Sequence, residues 1–102
     1  MLIKAGVDIS RLNREIRRAM QKVALYMDNY HEEMIITSTY EGTHGPGSLH
    51  YANDAIDVRN PKITLKNFAQ GIRDRLGDDY DVVDEHNHIH IEYDPEVRKG
   101  KR

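Results

Sequence analysis

The clearest signal in the chain is a change of hydrophobic period. From Arg11 the apolar residues Leu12, Ile16, Ala19, Met20, Val23 and Met27 recur every three or four positions, the spacing that lines one face of a helix. Asp8 and Ser10 precede them as residues of N-cap type, so the pattern predicts an amphipathic helix of about four turns. After Asp28-Asn29-Tyr30-His31 the segment Met34-Ile35-Ile36-Thr37-Ser38 is short, β-branched and free of Gly and Pro, and it reads as a buried strand. Tyr40 to Ser48 holds three glycines and a proline, a composition that enforces a loop. Ala55-Ile56-Asp57-Val58-Arg59 alternates, with Ala55, Asp57 and Arg59 on one side and Ile56 and Val58 on the other. Asn60-Pro61 ends that strand. Thr64 is placed to cap a second helix running to about Leu76, with Leu65, Phe68, Ile72 and Leu76 as its apolar stripe and Gly77 as its stop. Tyr80 to Val83 and His88 to Tyr93 supply two more strands. The order α-β-loop-β-α-β-β predicts an α+β fold, a small mainly antiparallel sheet of about four strands with two helices packed on one face.

Composition narrows the picture. With 102 residues the chain has room for one domain, expected over residues 1–95, followed by a basic tail at 96–102 that is too polar to pack. The net charge is -2 and its signs are mixed, so no nucleic-acid partner is expected. Arg11, Arg14, Arg18 and Lys22 form a stripe on the first helix that reads as its solvated side. There is no cysteine, which leaves His, Asp and Glu as the available metal ligands. No apolar run approaches the roughly 20 residues of a membrane span, and Met1 to Val7 lacks the pattern of a signal peptide. Cytoplasmic synthesis without membrane insertion is the expectation.

Chemistry concentrates in two segments. Five of the six histidines lie between positions 44 and 90. His50 precedes Asp57 across a turn, and His88 and His90 stand two apart on a strand, projecting from one face while Ile89 and Ile91 enter the core. His50, Asp57 and one of His88 or His90 make a three-ligand set with an open position, as catalytic zinc requires. Asp84 and Glu85 are the candidates for a general base. The competing reading is a solvated sheet edge; against it stands an Asp inside the apolar Ala-Ile-Asp-Val strand, costly to bury unless paired or metal-bound. His31 is expected at the surface and His86 in a turn, whereas His44 is either a loop residue or a substrate contact.

Ser48-x-His50-x-x-Asn53-x-Ala55-x-Asp57 resembles the Ser-x-His-x-x-Gly-x-Ala-x-Asp motif of the M15 zinc peptidases, which include D-alanyl-D-alanine carboxypeptidases, peptidoglycan endopeptidases and phage endolysins. His88-x-His90 resembles their second motif, which the hedgehog-type metal-site fold shares. The resemblance spans residues 34–93. It implies zinc held by His50, Asp57 and His90, with His88 as a transition-state or substrate contact. Glu85 is expected as the base, because a turn at Glu85-His86-Asn87 breaks strand parity. A Glu-x-x-His variant would make His88 the ligand instead. Asn53 replaces the family's Gly and is the residue that best tolerates a left-handed backbone in its place. The family's substrate-carboxylate Arg has no counterpart between Thr37 and Ser48, which leaves Arg59, His44 and Ser48 as substrate-binding candidates.

The resemblance implies a zinc-dependent peptidase, a carboxypeptidase or an endopeptidase, that cleaves a peptidoglycan stem-peptide bond, reaching the cell wall after release or as a virion component. The alternative is a non-catalytic zinc-containing binding module of the same fold. The letters His-Asn-His at 86 to 88 do not indicate a nuclease, whose corresponding residues are spread over a ββα unit. A two-His-one-carboxylate iron oxygenase needs a β-rich barrel that this helix-containing pattern does not supply.

Overall fold

The periodic segments fold as amphipathic elements whose apolar sides meet in one core. The computed structural model describes residues 1–39, 53–61 and 67–95. In chain order these form β1 (Leu2–Ile3), α1 (Arg14–Asp28), β2 (Ile35–Ser38), β3 (Ala55–Arg59), α2 (Phe68–Leu76), β4 (Tyr80–Asp84) and β5 (His88–Tyr93). The sheet order is β1-β2-β3-β5-β4. β1 lies parallel to β2 and every other pairing is antiparallel. This is the expected α+β architecture with one strand more than the pattern predicts. A strand of two residues leaves no alternation to read.

Both helices contribute to a core built on one face of the sheet. Ile16, Val23 and Met27 of α1 and Phe68 and Ile72 of α2 join Ile36, Ile56, Val58, Ile89 and Ile91. Each such side chain contributes about 1.5–3 kcal/mol when fully buried. Between the helices the Tyr26 ring stacks on Phe68, with centroids 5.9 Å apart, and lies under the Arg75 guanidinium at 3.8 Å. Gly71 sits against the Tyr26 hydroxyl, so closely that a Cβ there would collide with it. Tyr80 closes the other end of the core, donating from its hydroxyl to Glu15 O at 2.7 Å.

Two helix starts differ from expectation. α1 begins at Arg14 with Asn13 as its N-cap, although Leu12 is buried in register with the stripe. The turn before it is set by tertiary contacts: Arg17 donates to Leu12 O and Ile9 O, and Asn13 N donates to Asn53 O at 3.0 Å. α2 begins at Phe68, preceded by Asn67 in the left-handed conformation, φ 55°. Thr64 and Leu65 lie outside the described residues, as do the loop from Tyr40 and the tail from residue 96. No helix among the described residues is long and apolar enough to cross a membrane.

Candidate metal centre

The face of the sheet opposite the helices carries the polar residues of β3 and β5, and strand register decides which of them meet. β3 and β5 pair so that Asp57 stands across from His90 and Arg59 across from His88. Directly opposed residues in an antiparallel pair share a face. Beside them β2 has a bulge: Ile36 pairs with Val58 but Ser38 with Asp57, leaving Thr37 as an extra residue.

His90 lies between two carboxylates. Its ring donates through Nδ1 to Asp57 Oδ1 at 3.1 Å and through Nε2 to Glu92 Oε1 at 2.6 Å. Burial disfavours the charged ring, but the hydrogen bonds and negative charges of Asp57 and Glu92 outweigh it and push the His90 pKa up to about 9. Asp57 is buried, 8% exposed. The cost of burying that carboxylate is offset by this pairing, as the isolated Asp in an apolar strand requires. His88 approaches the other oxygen, Nε2 to Asp57 Oδ2 at 3.9 Å, while its Nδ1 donates to Asn87 Oδ1 at 2.7 Å.

The hairpin between β4 and β5 fixes the placement of the two candidate bases. Asp84 pairs with Ile89, a core residue, and so lies on the opposite face from the histidines. Its Oδ1 accepts from His86 N at 2.9 Å and holds the turn. Glu85 donates its N–H to His88 O at 3.0 Å, which puts Glu85 across from His88 on the histidine face, exposed at its end. His86 takes φ 73° as Asn87 N closes a three-residue turn onto Glu85 O. His31 is exposed in the turn after α1 with φ 59°. Asn53, at the glycine position of the motif, has φ 63°.

Asp57 and His90 have the donor chemistry of a zinc site. An ion held tetrahedrally at about 2.0–2.1 Å from each ligand sets neighbouring donor atoms about 3.3 Å apart, close to the separation observed here. Glu92 on the far ring nitrogen is the carboxylate that orients a ligating histidine. Among the described residues no three His, Cys, Asp or Glu side chains are grouped to hold an ion. His50, His44 and Ser48 lie outside the described residues. Glu92 was not among the candidates from the sequence, although carrying the His88-x-His90 alternation two residues further reaches it.

Comparison with protein-family models, with curated proteins and with solved structures finds no match for this chain. The functional reading therefore rests on the residues themselves and on the motif resemblance.

Proposed function

We propose that this chain is a zinc-dependent peptidase that cleaves a stem-peptide bond of bacterial peptidoglycan. The observation that carries the reading is the cross-strand pair of Asp57 and His90, 3.1 Å apart, with Glu92 behind the imidazole on a sheet face that the two helices leave open. The left-handed backbone of Asn53 supports it, since that is the conformation for which the resembled motif uses Gly.

In this reading Asp57 and His90 hold zinc with His50 as the third ligand. Zinc bound there would serve as a Lewis acid toward water and the scissile carbonyl. Glu92 fixes the orientation of the His90 ring by accepting its Nε2 proton. Glu85 accepts a proton from the attacking water and delivers it to the leaving amine. His88, steadied by Asn87, presents Nε2 to the substrate. Asp84, occupied with the hairpin, takes no part.

Elemental analysis of the purified chain is expected to give one zinc per protein. Digestion of purified peptidoglycan, followed by mass identification of the new termini, is expected to reveal a freed amine and the bond that was cut. Zinc without any cleavage would turn the reading to a non-catalytic binding module. A chain that takes up no zinc would overturn both.

A further inference from the structure

The two edges of the sheet are finished differently. Counting back from Glu85 N–H, which bonds to His88 O, alternation turns the N–H and C=O of Val82 away from β5 and out of the β4 edge. Arg73 closes that edge by donating from Nη2 to Val82 O at 2.7 Å, and Asp81 and Asp84 flank it with charge. β1 forms the opposite edge, where Leu2 N donates to Met34 O at 2.7 Å and Lys4 N to Ile36 O at 2.9 Å. Ile3, between them, therefore turns its N–H and C=O outward. Among the described residues no strand lies beyond it.

The open edge is also apolar. Met1, Leu2, Ile3 and Leu25 are 49%, 54%, 42% and 63% exposed, four of the five large apolar side chains left in solvent among the described residues. Ile3 pairs with the buried Ile36 and so shares the helix side of the sheet, as does Met1 two residues earlier. A hollow of about 280 Å³ lies between α1 and the start of β1, lined by Met1, Ala24, Leu25 and Met34 and by the acids Asp28, Glu32 and Glu33. An apolar edge strand with outward backbone groups is a template for another strand. The acids lie at the Met1 end of β1, and Lys4 is exposed at its other end. A two-fold axis through Ile3 reverses the strand and carries each Lys4 toward the acids of the other copy.

We infer that β1 is a self-association edge: a second copy of this chain pairs with it antiparallel across Ile3, so that the two Ile3 residues exchange N–H···O bonds. Such a pairing is isologous, each protomer supplying the same apolar strand with opposite charge at its two ends. The axis runs perpendicular to the sheet, joins the two sheets into one, and keeps both helix layers on the same side. Both Asp57–His90 faces then look the other way, side by side. The inference stands on the edge itself and requires no zinc.

Light scattering from the full chain, at micromolar to millimolar concentration, should show a mass rising from 11.9 kDa toward twice that value. Ile3→Lys sets two cations on the axis and should weaken the association about tenfold or more, whereas Lys4→Glu, which brings acid to acid, should weaken it about threefold. The chain has no cysteine, so Ile3→Cys provides one thiol per copy. Opposed residues of a hydrogen-bonded pair lie about 5.5 Å apart at Cα, within disulfide reach, and mild oxidation should trap a covalent dimer. Leu25→Cys, displaced from the axis along α1, should not cross-link. A mass that stays at 11.9 kDa throughout, a dimer that Ile3→Lys or Lys4→Glu leaves intact, or cross-linking through Leu25→Cys in place of Ile3→Cys would each overturn the inference. A constant monomer mass with nuclear Overhauser contacts from Ile3 to a distant segment of its own chain would overturn it too, and would give the edge to that segment.

Discussion

β3 and β5 present two faces built from alternate residues of the same strands. Ile56, Val58, Ile89 and Ile91 face the helices and are each 0% exposed. Asp57, His88, His90 and Glu92 face away. On the covered side any apolar side chain of the right volume does the work, because the stabilisation is non-directional and follows area. On the open side each group depends on a particular partner atom, since a half-buried charge is tolerable only where another meets it. The two faces are tied by parity: slipping β5 by one residue against β3 would send the histidines into the core and the isoleucines to the surface. The core therefore enforces the register that brings Asp57 to His90.

Substitutions on each face should weigh most on that face's own property. The largest effect is expected from Ile91→Ala, a loss of about 2–5 kcal/mol of unfolding free energy in denaturant titrations, with the zinc affinity of the folded fraction preserved. Glu92→Gln should act mainly on the open face, weakening zinc binding about 10–100-fold in competition with a chromophoric chelator and lowering the denaturation midpoint by less than Ile91→Ala does. Unchanged affinity would remove Glu92 from the site. Gly71→Ala tests the helix layer alone: overpacking against Tyr26 costs about 1–3 kcal/mol, against roughly 1 kcal/mol that Ala gains over Gly in a helix, for a small net loss of stability with zinc binding intact.

The gentlest effect is a slope with pH in the metal-free protein. The folded pKa of His90, about 9, lies above its ordinary 6.5. Its pairing therefore contributes fully below pH 6.5, and the contribution is lost as pH rises through 9. The Tm of chelator-treated protein should fall across that window, and His90→Gln should flatten the fall. A slope that persists in His90→Gln would assign the titration to another group.

β3 and β5 were legible to the residue, because alternation of Ile or Val with polar groups is a strong signal and Asn60-Pro61 marks a clear end. The left-handed turn at Asn53 was legible from residue type. What the sequence could not display was pairing. Nothing local states that Asp57 stands opposite His90, nor that Asp84 pairs with Ile89 and so leaves the histidine face to Glu85. The start of α1 was hidden for a related reason, since Asn13 answers to Asn53 across the fold rather than to its neighbours. β1 escaped notice because a strand of two residues borrows its structure from β2.

The distance along the chain between Asp57 and His90, 33 residues, gives the pair a place in the order of folding. The β4–β5 hairpin closes through a short turn and can form within microseconds. Bringing β3 against it means closing a long loop first, and such distant pairings are the slow ones. His90 thus gains Glu92 and Val83 as early neighbours and meets Asp57 only at the end. A nuclear resonance from the His90 ring, followed during refolding, should keep an intermediate environment until the sheet closes, which makes this one imidazole a clock for the completion of the fold.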